Sequence, residues 1–304
     1  MKHVFISIIN FNNSASTIEC LNSLEKMISK NFKTTVVIID NASKEKFKVQ
    51  NSKFKVHEEK IIRNEENLGF SGGHNVAIRE AMNLEADYVL ILNNDTIVDK
   101  MLVEELLHTA QMDRNIGIVV PKMYFAKGHE FHKDRYKKHD LGKVIWYAGG
   151  ITDWDNVINY HRGVDEVDKG QYEQIQRADF ASGACMLVKR EVFEKAGLFD
   201  EMYFLYYEDS DFCERVKRSG YSILYSPKAY LWHKNAESTG LGSSLQDYYI
   251  TRNRMLFGFR YAPLRSKLAL LKESASILAW GRPWQKRGIL DFYLARFGRG
   301  SYKI

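Results

Sequence analysis

The chain is expected to fold as an α/β protein, with a mostly parallel sheet flanked by helices and a basic helical extension at its end. Three observations predict this. Short apolar strand-like runs alternate with helix-spaced segments through the first 120 residues. Most of these runs stop at Asn or Asp. From residue 251 onward there are twelve Lys/Arg and two Asp/Glu, a net +10, so with +6 overall the first 250 residues carry −4. Alternating β and α signals imply parallel strands joined by crossover helices, and ligands then bind beyond the carboxyl ends of the strands.

The elements follow in order. His3 to Phe11 is an apolar, β-branched run. Ser16 and Glu19 have capping-box spacing, and Ile18, Leu21, Leu24 and Ile28 form a helical stripe. Thr34 to Ile39 reads as a buried strand ending at Asp40, Gly73 to Asn83 as a helix, and Tyr88 to Leu92 as a strand. Met101 to Met112 reads as a helix and Ile116 to Val120 as a strand. Residues 124–179 are charged and irregular, and His129, His132 and His139 there suit a solvated loop better than a metal cluster. Ala181 to Val188 returns to a strand, and Arg190 to Ala196 and Asp209 to Ser219 are short helices. Tyr221 to His233 is strand-like with a Pro turn, and Ser244 to Phe259 and Leu264 to Leu278 are helical. The expected division is a main domain over 1–250, in halves 1–120 and 121–250, and an extension over 251–304.

Composition narrows the class. No run of about 18 apolar residues suggests a membrane span, and the start lacks the pattern of a signal peptide. Cys20, Cys185 and Cys213 have no metal-type spacing and read as buried thiols in a reducing, cytoplasmic compartment. The sequons at Asn12, Asn41 and Asn94 are then expected to carry no glycan. The basic tail calls for an anionic neighbour. Nucleic acid is one candidate, but the chain has no nucleic-acid module, and an anionic membrane, contacted peripherally on its inner face, fits as well or better; the tail can equally pack on the core.

Polar residues close three strands: Asn10 with Asn12, then Asp40, then Asn93, Asn94 and Asp95. Such residues also form turns, but three endings on one edge of one sheet suggest a site. Asp95 can hold a hard divalent cation that holds a diphosphate, or it can cap a helix. Asp153 and Asp155 are a weaker pair of the same type. Asn67 to Asn75, with Gly72 and Gly73, is a glycine-rich loop opening a helix, suited to an anion or simply a tight turn. Glu208, Asp209 and Asp211 cluster after an aromatic run. They suit a helix's first turn, a general base or, as runner-up, a metal site. His233 ends a strand, where an imidazole can join Asp95 on a cation or serve structure alone.

Together the blocks Ser-Ile-Ile-Asn-Phe-Asn-Asn, Val-Ile-Ile-Asp-Asn-Ala-Ser, Asn-Leu-Gly-Phe-Ser-Gly-Gly-His-Asn, Leu-Asn-Asn-Asp-Thr, Ser-Gly-Ala-Cys-Met-Leu-Val-Lys-Arg, Phe-Asp-Glu-Met-Tyr-Phe-Leu-Tyr-Tyr-Glu-Asp-Ser-Asp and Arg-Asn-Arg resemble the family 2 glycosyltransferases over roughly residues 4–260. Within that family they are most similar to bacterial enzymes of the rhamnosyltransferase type. The resemblance implies the GT-A fold and inverting transfer from a nucleotide-diphosphate sugar, of the dTDP-rhamnose or UDP-hexose kind, to a saccharide acceptor, including a lipid-linked one. Surface polysaccharide synthesis is the implied setting. It also implies a bound Mg²⁺ or Mn²⁺. By position, Asp40 would meet the nucleotide beside Asn10 and Asn12. Asp95 would close the metal-binding Asp-x-Asp with His233 as a further ligand, and Asp209 would be the base. Arg252 or Arg254 would meet the diphosphate. The chain departs from the motif at Asn93, a neutral oxygen ligand where the strict pattern has Asp. A sugar-nucleotide pyrophosphorylase would need a glycine-rich loop bearing Arg and Lys near the start, which is missing here. A non-catalytic carbohydrate-binding relative would have lost the acids that this chain keeps.

Overall fold

The computed structural model describes residues 1–29, 31–48, 58–234 and 242–303. The elements run β1 Lys2–Asn10, α1 Ser14–Leu24, β2 Phe32–Asp40, β3 Glu58–Arg63, α2 Gly69–Asn83, β4 Tyr88–Asn93, β5 Thr96–Val98, α3 Leu102–Ala110 and β6 Ile116–Phe125. Short strands β7 Ile145–Tyr147, β8 Gly150–Asp153, β9 Ile158–His161 and β10 Gln176–Arg177 follow, then β11 Cys185–Lys189, α4 Arg190–Ala196, α5 Glu208–Arg218 and β12 Ser222–His233. The chain closes with α6 Ser244–Tyr261, α7 Leu264–Trp280 and α8 Pro283–Tyr293.

One sheet carries the strand order β10-β12-β6-β11-β4-β1-β2-β3. Strands β3, β2, β1 and β4 are parallel, as the continuous apolar runs predict for strands buried on both faces. Crossing to β6 brings a departure from the expected succession. β11 inserts between β4 and β6, antiparallel to both. β12 then runs parallel to β6 as one long strand, with its register shift between Ser226 and Tyr230. Pro227 lies in that shift, where its missing N–H interrupts no ladder bond.

Helix α1 departs from the expected capping box. Asn13 is its N-cap, accepting from Ser16 N. Ile18 is exposed, while Thr17, Cys20, Leu21 and Leu24 face the sheet. Asp95 is not a helix cap either, because β5 intervenes and α3 starts after Met101.

Helices α6, α7 and α8 pack on the body through a second apolar cluster of Met255, Leu256, Phe257, Leu270 and Ile289, joined by Val157 and Tyr203. α6 straddles the expected boundary at residue 250. Its contact with α8 is close: a Cβ on Gly288 would lie 2.7 Å from the Tyr248 carbonyl oxygen. Gly→Ala inside a helix ordinarily stabilises by about 0.5–1 kcal/mol, whereas overpacking against backbone costs about 1–3 kcal/mol. The second effect should win, so Gly288→Ala should lower the melting temperature in a thermal unfolding scan. An unchanged or raised value would mean that the two helices are not held this tightly.

Candidate active site

Register places the polar strand endings on one edge, because Asn10 pairs with Asp40 and Ile9 with Asn93. Asn10 is buried, donating to Ser43 Oγ at 3.1 Å and accepting from Thr17 Oγ1 at 2.8 Å. Asn12, at φ 54°, accepts from Lys44 N at 2.8 Å. Asp40 accepts from Ser43 N and Phe47 N, each at 3.1 Å, and from Arg63. Burial alone would raise the Asp40 carboxyl, but its hydrogen bonds to Ser43 and Phe47 and the Arg63 guanidinium hold it below the ordinary range. These residues therefore build the wall after β2, a loop over 41–47 with Arg63 behind it.

Asp95 and His233 meet. Strand β5 pairs with β12 in the register Thr96 to His233, which brings His233 Nε2 within 3.0 Å of Asp95 Oδ1. Both side chains are nearly sealed, at 7% and 5% exposure. Burial works to raise Asp95, yet His233 and then Lys234 outweigh it, so its pKa is lowered. Trp146 lies edge-on to His233 at 4.5 Å and to His161 at 4.3 Å. Burial, and then the neighbouring His233, push His161 down to about 4, so its ring is neutral at ordinary pH.

The pair suits a divalent cation. Adjacent ligands of an octahedral cation with bonds of about 2.1 Å lie about 3.0 Å apart, and the two donor atoms already have that separation. His233 Nδ1 is buried without a partner among the described residues, so no second bond ties the ring to one tautomer. Asn93 is half-buried with no side-chain hydrogen bond among the described residues, leaving its amide oxygen available. Asn94 instead donates to Thr17 Oγ1 at 2.9 Å and steadies the turn.

The glycine-rich segment does something other than expected. Its amides are not open to an anion. Leu68 N donates to Asn41 Oδ1, Gly69 N to Asn67 Oδ1, and Phe70 N and Ser71 N both donate to the Phe204 carbonyl. Gly69 has φ 69°, and a Cβ there would lie 2.3 Å from that carbonyl, so only glycine fits. A Cβ on Gly72 would lie 2.7 Å from Leu68 Cβ, and one on Gly73 2.7 Å from Ile9 Cδ1. Both glycines serve close packing. Asn75 is likewise structural: it donates to the Phe199 carbonyl and accepts from Phe199 N.

The segment before α5 is strained. Phe204, Tyr206 and Tyr207 all have positive φ, at 64°, 69° and 71°, each costing about 1–3 kcal/mol for a residue with a side chain. Helix α6 holds it. Asn253 Nδ2 lies within 2.9 Å of the carbonyls of Tyr203, Leu205 and Tyr206. Arg252 is fully buried, donating to the carbonyls of Tyr203, Met202 and Arg296, with Tyr248 and Tyr249 beside its guanidinium. Arg254 makes a double ion pair with Glu273 and bonds the Asn156 carbonyl. Both arginines are thus already engaged by the protein, which corrects their expected role toward a diphosphate.

The acidic cluster separates into three environments. Asp211 is fully buried and neutralised by Arg215 at 2.8 Å and Arg260 at 2.9 Å, with Tyr261 donating at 2.8 Å. Glu208 is buried with Oε2 unpartnered among the described residues, and burial, then Asp209, push its pKa well up. Asp209 is half-buried. Oδ2 accepts from Gly183 N at 3.1 Å and Oδ1 from Ser210 N at 2.7 Å. Its pKa is raised by burial, with the Gly183 and Ser210 bonds offsetting part of the rise.

One short segment joins both groups of residues. Gly183 N bonds Asp209, and the next carbonyl, Ala184 O, accepts from Asn93 N at 2.9 Å. Asp209 and the Asn93–Asp95 turn therefore lie on either side of residues 182–184. From β9, Asn159 donates to Ser210 Oγ at 2.6 Å. Sequence reasoning missed Trp146, Asn159, His161, Gly183 and Asn253. Most of these lie in or beside the irregular stretch, where periodicity is silent. The Arg-Asn-Arg block was the one available signal for Asn253.

Known proteins resemble this chain in sequence and in fold. The profile of the family described as "Glycosyl transferase family 2" matches residues 5–197. The low-salt glycan biosynthesis hexosyltransferase Agl10 of Haloferax volcanii is 28% identical over 222 residues, 72% of this chain and 66% of the relative. The N-acetylglucosaminyl-diphospho-decaprenol L-rhamnosyltransferase of Mycobacterium tuberculosis is 39% identical over 90 residues, 28% of this chain and 29% of the relative. Among solved structures, GalNAc-T7 with UDP, GalNAc and Mn²⁺ superposes with a TM-score of 0.62 at 16% identity, covering 93% of this chain and 58% of that one. The chain thus spans about two thirds or less of each of these proteins, and the structural likeness shows the GT-A type of fold.

If α6 sets the position of Asp209 through the strained segment, Asn253→Ala should do two things. It should lower stability by about 1–3 kcal/mol, the loss of a few buried hydrogen bonds. It should also reduce turnover well below the melting temperature, while nucleotide affinity holds. Wild-type turnover beside a lowered melting temperature would limit Asn253 to stability.

Proposed function

The chain belongs to glycosyl transferase family 2, and from that premise we propose that it transfers a sugar from a nucleotide-diphosphate donor to a saccharide hydroxyl, with inversion. The observation that carries the proposal is the pairing of two unlike carboxylates across residues 182–184. Asp95 is kept ionised beside His233, and Asp209 is given raised proton affinity. Environments that push two carboxylates apart in this way assign one to charge and the other to proton transfer.

Asp95 and His233, with Asn93 beside them, would hold Mg²⁺ or Mn²⁺. When bound, the cation supplies neutralisation of the charge on the departing nucleoside diphosphate. The wall of Asn10, Asn12 and Asp40 shapes the nucleotide side. Asp209 accepts the proton of the acceptor hydroxyl at a carboxylate oxygen. Burial, and then Asp209 itself, raise the proton affinity of the neighbouring Glu208 as well. One base and one displacement give an inverted product. Residues 1–120 form the nucleotide half, 121–250 the acceptor half and 251–304 the extension in this reading. The relatives' names favour a hexose or rhamnose donor and a polyprenyl-diphosphate-borne acceptor.

A panel of nucleotide sugars scanned for thermal stabilisation tests the reading. A donor at 100 times its Kd should add about 2.7 kcal/mol. The shift should need Mg²⁺ or Mn²⁺, vanish with EDTA and be absent in Asp95→Ala. Full transfer by Asp95→Ala in excess chelator would exclude the cation from the site.

A further inference from the structure

Helix α7 is turned inside out for a helix packed on a protein. Its buried face is Ser266, Leu270 and Ser274. Leu264, Leu268, Leu271 and Ala275, spaced three and four apart on one face, are exposed, the first two by 72% and 57%. Trp280, at the end of the same helix, is 87% exposed. Ser274 Oγ lies 2.6 Å from Tyr293 Oη, which sets the exposed Leu290, Tyr293 and Leu294 of α8 alongside. A contiguous apolar face of this kind marks an interaction surface.

Charge selects the occupant. Many of the basic residues in 251–304 are engaged internally: Arg254 with Glu273, Arg260 with Asp200 and Asp211, and Arg282 with Asp247. Arg265, Lys267 and Lys272, which flank the leucine face, have no ion-pair partner among the described residues. A second copy docked by a twofold axis on this face would bring the same three cations against themselves. An anionic bilayer meets both needs. It takes the leucines into its acyl boundary and pairs the cations with lipid phosphates. Among the described residues no helix is long and apolar enough to cross a membrane. A helix lying in the interface plane requires no such length.

We infer that α7 docks this chain on an anionic lipid bilayer through Leu264, Leu268 and Leu271, with Arg265, Lys267 and Lys272 at the headgroups. The docking rests on this surface alone; its use for a lipid-borne acceptor rests on the transfer reading above. The surface also connects to the site. Glu273 of α7 holds Arg254, Arg254 holds the Asn156 carbonyl in the β8–β9 turn, and Asn159 of β9 bonds Ser210 beside Asp209. A docked α7 therefore lies next to the element that borders the acceptor side.

Co-sedimentation of the full chain with vesicles tests the inference. One set contains phosphatidylglycerol in phosphatidylcholine and the other phosphatidylcholine alone. The protein should pellet with the anionic set at low salt and be released as salt rises. The combined Leu264→Glu, Leu268→Glu and Leu271→Glu variant should stay in solution with an unchanged melting temperature. Each of Arg265→Gln, Lys267→Gln and Lys272→Gln should lower vesicle partitioning about fivefold. Metal-dependent hydrolysis of a nucleotide sugar, measured on the same proteins, should be equal in all. Pelleting without any hydrolysis would keep the docking and remove the transfer reading. Failure to pellet, or pelleting undiminished in the Leu variant, overturns the docking. So does a dimer in vesicle-free size-exclusion chromatography that the Leu variant abolishes, since the occupant is then a second copy.

Discussion

The site depends on how residues 202–207 are held. Three left-handed non-glycine residues within four positions, Phe204, Tyr206 and Tyr207, are unfavourable by themselves, at about 1–3 kcal/mol each, and persist only where the surroundings over-determine them. Here three elements do so. Asn253 and Arg252 collect the carbonyls of Met202, Tyr203, Leu205 and Tyr206 from one side. The first amides of α2 collect that of Phe204 from the other. Phe204 also stacks on Tyr249 at 5.2 Å. Helix α5 begins directly after this segment, so the direction of Glu208 and Asp209 follows from it.

That arrangement explains which parts were legible in sequence. The parallel strands were readable because strands buried on both faces are unbroken apolar runs, and polar residues at their ends stand out against them. Asp95 and His233, far apart in sequence, could be paired because each follows a strand, as the family resemblance also implies, and the β5–β12 register brings them together. The functions of Gly72, Gly73 and Asn75 were not legible. A glycine-rich helix start looks the same whether its amides face an anion or a carbonyl from another loop, and only Phe204 decides between them. Arg252 misled for a similar reason. An arginine in a family motif suggests phosphate, yet complete burial among backbone carbonyls and tyrosines makes it a structural clamp. The inserted strand β11 was recognised as a strand, but local pattern carries no information on its order or direction in the sheet.

The acidic cluster shows how neighbouring carboxylates are differentiated. Three in four residues cannot all be ionised in a buried helix start without compensation. Asp211 receives two arginines, Glu208 receives none and has its proton affinity raised by burial, and Asp209 lies between these extremes with three hydrogen bonds from Gly183 and Ser210. Position along one helical turn thus gives three neighbouring carboxylates three different electrostatic environments.

Comparing Asp209→Asn with Glu208→Gln, for turnover across pH together with donor affinity and melting temperature, tests this assignment most directly. A base typically contributes about 10²- to 10⁴-fold, so Asp209→Asn should lose at least that order of turnover and keep donor affinity. The raised proton affinity of Asp209 means that its ionisation opposes folding as pH climbs from the ordinary value of about 3.9 through the raised one. At neutral pH the Asn variant is freed of that opposition but sets an amide N–H against Gly183 N or Ser210 N, so its melting temperature should stay close to that of the wild type. Wild-type turnover should rise with pH through that raised value, and Glu208→Gln, at a carboxyl whose proton affinity burial raises, should follow the wild-type profile. Near-normal turnover in Asp209→Asn, or a joint loss of donor affinity and melting temperature, would contradict the assignment of Asp209 as the base.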